Sequence, residues 1–176
     1  DYYVVRAYNN AGIGWYSNNT NTVVNRDVFY NALKPATSGF TFEFQNMTVA
    51  ASVLTITNSN LGFDWIKVNA PADMTITSTD LVINGDLTIL GDVVLNDVNL
   101  IMNGGYDGES RIYVAPGASL TVNGGTITDG ASGANYLFKV DGSLVMNNCN
   151  LSGCGSNNQT ELDEAGLFVS GSASLD

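Results

Sequence analysis

The chain has 176 residues, 44% of them hydrophobic, which is enough apolar material to bury a continuous core. Only 13% are charged, acidic residues outnumber basic ones 17 to 6, and histidine is absent. Because nucleic acid and anionic membranes are bound through Lys and Arg, this composition excludes both as partners. Metal cations, neutral sugars, other surface proteins and further copies of the chain are left to consider.

Residues 1–24 form the first recognisable segment. They combine a tyrosine-rich run from Tyr2 to Tyr8, an Ala11-Gly12 loop and a closing strand at Val23-Val24. This pattern resembles the last two strands of a fibronectin type III domain, a module that spaces or presents other domains on surfaces. The resemblance implies that the missing strands of the sandwich come from elsewhere. Residues 25–45, with breakers at Pro35 and Gly39, are interpreted as a transition segment.

An internal repeat dominates the rest of the chain. Its template is an apolar residue, any residue, a second apolar residue, four mostly small or polar residues, and then Leu or Ile. The copies run from Leu54 to Leu61, Met74 to Leu81, Val93 to Leu100, Leu120 to Ile127 and Leu144 to Leu151, and a sixth begins at Ala173. Alternation at period two within each copy indicates strands with one buried face. Stacked copies of such a unit would bury a continuous core, so the repeat predicts a solenoid.

Polar residues recur at two positions of this template. Position four holds Thr57, Thr77, Asn96, Asn123 and Asn147, and position seven holds Asn60, Asp80, Asn99, Thr126 and Asn150. In a stack at the strand spacing of about 4.8 Å, such side chains can form hydrogen-bonded ladders. The alternative is that Asn and Asp simply suit turns, because they tolerate left-handed backbone.

Phrases such as the run from Gly117 to Ile127, Gly-Ala-Ser-Leu-Thr-Val-Asn-Gly-Gly-Thr-Ile, resemble the pectate-lyase-like right-handed parallel β-helices of microbial surface proteins. The resemblance implies an all-β fold over residues 46–176, cut off at its C-terminal end, behind the fibronectin type III-like remnant. It also implies an extracellular, cell-surface location. It specifies a fold far better than an activity.

Catalytic residues are not assigned. Glycoside hydrolysis needs two facing carboxylates, and Asp92 with Asp97 is one candidate pair, but turn carboxylates in an acidic protein are usually only solvated. The β-helix enzymes that this chain resembles also use a histidine, which is missing. No nucleophile and base pair of the Ser-His or Cys-His kind can be assembled without one.

Calcium is the only cofactor that the sequence brings into consideration. The loop from Asn103 to Glu109 has a Gly-rich backbone, and the oxygens of Asn103, Asp107 and Glu109 are the hard ligands that calcium prefers. The loop does not follow the spacing of an EF-hand, and an ordinary turn explains it equally well.

Two kinds of modification are predicted for an exported chain. Sequons make Asn18, Asn46, Asn150 and Asn158 candidate glycosylation sites, and the alternative is that an Asn- and Thr-rich chain produces such sequons by chance. Cys149 and Cys154 could close a small disulfide loop, or they could be two buried thiols in a turn region.

These patterns lead to a functional hypothesis. The chain is interpreted as a non-enzymatic structural or adhesive component of a microbial cell surface, such as a subunit of an outer layer, sheath or filament, that associates with itself or with other surface proteins. A polysaccharide-binding or polysaccharide-cleaving β-helix and a calcium-dependent adhesin are the alternatives. No apolar run approaches the length of a membrane span.

Overall fold

A computed structural model describes residues 41–49, 53–57, 60–156 and 164–176, with side chains from residue 46 onward except residue 53, together with four short strands between residues 2 and 20. The described fold consists almost entirely of strands, which are β1 (Tyr2–Tyr3), β2 (Arg6–Tyr8), β3 (Trp15–Tyr16), β4 (Asn19–Thr20), β5 (Thr41–Val49), β6 (Val53–Thr57), β7 (Asn60–Val68), β8 (Asp73–Thr77), β9 (Asp80–Ile83), β10 (Leu87–Ile89), β11 (Asp92–Met102), β12 (Arg111–Val114), β13 (Ser119–Asp129), β14 (Leu137–Val140), β15 (Ser143–Asn147), β16 (Asn150–Leu151), β17 (Leu167–Val169) and β18 (Ser172–Leu175).

From β5 onward the strands coil into a parallel solenoid with three faces. Face A stacks the C-terminal parts of β5 and β7 with β10, β12, β14 and β17. Face B stacks β6, β8, the N-terminal halves of β11 and β13, β15 and β18. Face C stacks the N-terminal parts of β5 and β7, β9, the C-terminal halves of β11 and β13, and β16. One passage through faces A, B and C makes one rung.

The register confirms the predicted repeat. Leu54, Met74, Val93, Leu120, Leu144 and Ala173 are consecutive partners on face B. The template's last residue stacks likewise on face C, as Leu61, Leu81, Leu100, Ile127 and Leu151. A one-residue slip would turn every buried side chain outward, so the apolar pattern itself specifies this register.

The core lies inside the coil and is built from these columns of aligned apolar residues. Within the complete rungs, every inward position of β8, β9, β10 and β12 is buried, while the residues between them are half-buried or exposed. Because each apolar side chain packs on its equivalents above and below, the rungs bury a surface that a single rung could not bury alone.

The corner between faces B and C has a left-handed residue in four successive rungs. Ser78, Asp97, Gly124 and Asn148 each follow position four of the template, with φ values of 49°, 51°, 72° and 49°. The repeated geometry turns the chain from one face to the next without breaking the stack. Asn, Asp and Gly are the residues that adopt this conformation at low cost, which explains most of the corner composition.

The N-terminal strands pair antiparallel, unlike the rest. β1 pairs with β4, and β2 lies between β3 and β5, with Ala7 opposite Phe42. Much of residues 1–24 and all of residues 25–40 lie outside the described residues, so the fibronectin type III resemblance stays a prediction.

Candidate functional site

The best-defined polar feature is a ladder of asparagines at position four, here called the inner ladder. Asn123 donates from Nδ2 to Asn96 Oδ1 at 2.9 Å, and Asn147 donates in the same way to Asn123 Oδ1 at 2.8 Å. Asn96 extends the series to Thr77 Oγ1 at a longer 3.5 Å. The amides therefore point along the solenoid axis, as the sequence predicted, and their left-handed neighbours show that the turn interpretation holds as well.

A second, outer ladder at position seven is also confirmed. Asn99 donates from Nδ2 to Asp80 Oδ1 at 2.8 Å, and the Thr126 hydroxyl donates to Asn99 Oδ1 at 3.2 Å. These side chains are more exposed to solvent than the inner ladder. The outer ladder is consequently expected to contribute less stability per bond.

A third ladder was missed in the sequence. Asn103 donates to Asn84 Oδ1 at 3.0 Å, and Asn84 donates to Asp64 Oδ1 at 3.3 Å, at the corner between faces C and A. The signal was present, because these residues are spaced 20 and 19 apart, like the template around them. The template did not indicate this column, because all three residues lie outside the template and the first of them is Asp64 rather than Asn.

An open groove of about 430 Å³ lies on the outside of face A beside this third ladder. Its lining combines one aromatic, one basic, one hydroxyl and three acidic side chains: Trp65, Lys67, Thr88, Asp64, Asp86 and Glu109. These residues come from successive rungs, at positions directly before or within the face A strands. The sequence did not predict the groove, because its lining residues come from different rungs and lie 18 or more positions apart, except those within one rung.

The carboxylates of the groove differ in their surroundings. Although much of Asp86 is solvent-exposed, its partial burial raises the pKa of its carboxyl, and the neighbouring Arg111 charge and backbone N–H partly oppose this. Glu109 accepts a hydrogen bond from the Gly105 backbone N–H. Asp64 accepts the bond from Asn84 that ends the third ladder. The groove thus holds oxygen acceptors in different environments around one indole.

Farther along face A, Lys67, Tyr113 and Lys139 point outward in one column of the stack, with Thr88 between Lys67 and Tyr113. Tyr113 donates from its hydroxyl to Asp141 Oδ2 at 3.0 Å, and Ser170 donates to Asp141 Oδ1 at 2.5 Å. The Ser170 bond is the main cause that lowers the pKa of Asp141, assisted by Tyr113 and Lys139. Lys67 and Lys139 therefore share this column, three rungs apart.

The predicted calcium ligands each have a different protein partner. Asn103 belongs to the third ladder, Asp107 accepts from the Asn135 backbone N–H at 2.9 Å, and Glu109 accepts from Gly105. Among the described residues, no group of three or more His, Cys, Asp or Glu side chains is placed to hold a metal ion. Calcium at this loop stays a prediction, and it would have to compete with these existing bonds.

The predicted modification sites are only partly within the described residues. Asn150 is exposed at the outer-ladder register, opposite Thr126, and Asn46 is half-buried in β5. Asn18 and Asn158 lie outside the described residues. Glycosylation stays a prediction at all four positions.

The two cysteines pack at the edge of the core as half-buried free thiols. Burial raises the pKa of both Cys149 and Cys154, so the thiols are protonated at neutral pH in this state. The backbone of Cys154 also forms an isolated parallel β-bridge with Tyr136, whose side chain is fully buried. Whether the pair forms a disulfide stays a prediction.

The carboxylate pair considered in the sequence lies away from the groove lining. Asp92, at the start of β11, accepts a hydrogen bond from the Ser119 hydroxyl at 2.6 Å, and Asp97 occupies a left-handed corner. Asp92 therefore links its own rung to the next one through Ser119.

Comparisons with protein-family models, with curated proteins and with solved structures found no match. The fold and the geometry of its ladders and groove therefore carry the functional argument. Within the described part of the chain, no helix has the length and apolar character needed to cross a membrane.

Proposed function

We propose that this chain is a non-enzymatic structural or adhesive component of a microbial cell surface, and that its solenoid is a right-handed, pectate-lyase-like β-helix. In this proposal the fibronectin type III-like segment spaces or presents the rod outside the cell. The partners are further copies of the chain or other surface proteins.

The observation that carries the proposal is the use of polar side chains between rungs. The inner ladder joins Asn96, Asn123 and Asn147 in an unbroken series through three rungs. Half-buried amides that are hydrogen-bonded to one another stabilise the stack and rigidify the structure around them, which favours a stiff rod.

Electron microscopy of the purified native protein tests this proposal, with parallel samples in calcium and in chelator. Ordered filaments, sheets or layers are the expected result. Disassembly in chelator would add calcium-dependent adhesion to the proposal. Dispersed particles in both samples would refute self-assembly as the function.

A second candidate is polysaccharide binding or cleavage in the groove on face A. It is favoured by one observation, namely that three carboxylates, Asp64, Asp86 and Glu109, line the same groove as Trp65. An indole face stacks on sugar rings, and carboxylates accept hydrogen bonds from sugar hydroxyls. The acidic lining favours neutral over acidic polysaccharides.

Binding to immobilised neutral polysaccharides distinguishes the two candidates. The variant Trp65→Ala should abolish retention if the groove binds sugar, whereas Tyr106→Ala, which removes an exposed aromatic outside the groove lining, should have no effect. Equal retention of both variants, or none by the unmodified protein, would count against a sugar site. Release of shortened chains would extend the candidate from binding to cleavage.

A further inference from the structure

We propose that Asn84 is a site of spontaneous covalent modification, at which the folded protein deamidates to aspartate and isoaspartate. The chain contains three Asn-Gly pairs, at Asn84–Gly85, Asn103–Gly104 and Asn123–Gly124. Each asparagine belongs to one of the ladders, and the ladders protect the three positions unequally.

The reaction needs only the chain and water. The glycine backbone nitrogen attacks the asparagine Cγ, a new N–Cγ bond forms, and the Cγ–Nδ2 bond breaks. The former amide nitrogen leaves as ammonia with the proton lost from the glycine nitrogen. Water then opens the resulting succinimide at either carbonyl, which gives aspartate or isoaspartate. Because glycine has no Cβ to hinder this approach, all three pairs are chemically competent and the fold decides between them.

Asn123 is held most firmly. Its Nδ2 donates to Asn96 and its Oδ1 accepts from Asn147, at 2.9 and 2.8 Å. The side chain must give up both bonds before its Cγ can turn toward the Gly124 nitrogen. Deamidation is consequently slowed by the stack on both sides.

Asn103 is restricted in a different way. Its Nδ2 donates to Asn84 at 3.0 Å, and its Oδ1 lies directly over the next rung, only 2.1 Å from where a side chain at Gly130 would begin. The attacking residue, Gly104, is buried. Both the rotation of the amide and the access of water and base are therefore hindered.

Asn84 is the least protected of the three. It is exposed, and its attacking neighbour Gly85 is half-buried. Its Oδ1 accepts a bond from Asn103 at 3.0 Å, and its Nδ2 donates to Asp64 at 3.3 Å, beyond the usual range for N–H···O bonds. Both of these bonds are exposed to solvent, whereas both bonds of Asn123 are half-buried, so the bonds of Asn84 are easier to release. The geometry thus selects Asn84 for the reaction.

Modification at Asn84 changes the third ladder and the groove beside it. The amide that donates to Asp64 becomes a second carboxylate, so attraction between the two side chains is replaced by repulsion. Isoaspartate also lengthens the backbone at Gly85, where a Cβ would already lie 2.7 Å from the Asp64 carbonyl oxygen. Gly85 and Asp64 line the groove, so deamidation of the neighbouring Asn84 alters the charge and shape of the groove with age.

The test follows deamidation of all three pairs by peptide mass spectrometry during incubation of the folded chain at mildly alkaline pH. The chain unfolded in urea supplies the reference, in which the three Asn-Gly pairs should react at similar rates. In the folded protein, Asn84 should react fastest of the three, and Asn123 should react at least about tenfold more slowly than Asn84. Protection of Asn84 as strong as that of Asn123 would overturn the proposal.

Two variants separate the ladder from general rigidity. Asn147→Ala removes one of the two bonds that hold Asn123, and it should accelerate reaction at Asn123 without changing Asn84. Asn84→Gln should abolish modification at that position, because the longer side chain forms its cyclic imide much more slowly. An unchanged rate at Asn123 in the Asn147→Ala variant would refute the ladder as the source of protection.

Discussion

The inner ladder makes Asn123 the most informative residue to remove. Asn123→Ala deletes the donor to Asn96 and the acceptor for Asn147, two bonds of 2.9 and 2.8 Å in a half-buried corner. Each such bond contributes about 0.5–1.5 kcal/mol net, so the variant should lower the free energy of unfolding by about 1–3 kcal/mol. The partners stay near solvent, which keeps the loss from exceeding this range.

Urea denaturation followed by circular dichroism measures this loss. Thr121→Val is a matched control on the same strand, because it keeps a β-branched side chain at an outward position between Val94 and Val145. It should change stability by less than about 0.5 kcal/mol. Combining Asn123→Ala with Asn147→Ala should give less than the sum of the two, since both variants delete the same bond. Full additivity, or a loss at Asn123 no larger than the control, would refute the ladder argument.

Three further predictions concern the corners and the titrating groups. Gly125→Ala should destabilise the protein more than Gly117→Ala by urea denaturation, because the two have similar φ values of 78° and 80° but only Gly125 has backbone atoms of the neighbouring rung, 2.2 Å away, where the new Cβ would lie. Asp141 has a lowered pKa in the folded state, so the stability that its carboxylate contributes is present above the ordinary carboxyl pKa and is lost as pH falls through the lower folded value. Asp141→Asn should therefore make the free energy of unfolding fall less steeply at acid pH, and an unchanged fall would contradict this. If Cys149 and Cys154 are thiols, a thiol reagent should modify them slowly in the folded protein and rapidly in the unfolded protein, without reductant in either case. No modification in either state would establish the disulfide instead.

The solenoid was predictable because its signal is local and repeated. The apolar columns that begin at Leu54 and Leu61 follow directly from the template, and their register was confirmed strand by strand. The inner and outer ladders follow from the same register, since equivalent positions on parallel strands are direct neighbours.

The groove was not predictable by the same reasoning. Asp64, Asp86 and Glu109 meet because their rungs have different lengths between faces C and A, and the template says nothing about those connections. Tyr136 is fully buried beside Cys154, although alternation on the neighbouring strand alone does not fix which way its ring points. Residues in connections of unequal length can be placed only once the stacking of the rungs is known, so the structure was needed to find the candidate site.

The most direct test of the account is the register between rungs. Thr75 and Val94 are partners on the outer surface of face B, where adjacent parallel strands are about 4.8 Å apart, within the range that a disulfide can span. The double variant Thr75→Cys and Val94→Cys should therefore form a cross-link under mild oxidation, mapped by mass spectrometry to exclude the native cysteines. The pair Thr75→Cys and Val145→Cys, three rungs apart, should not. Cross-linking of the distant pair, or failure of the adjacent pair in a folded protein, would contradict the stacked solenoid on which every proposal here depends.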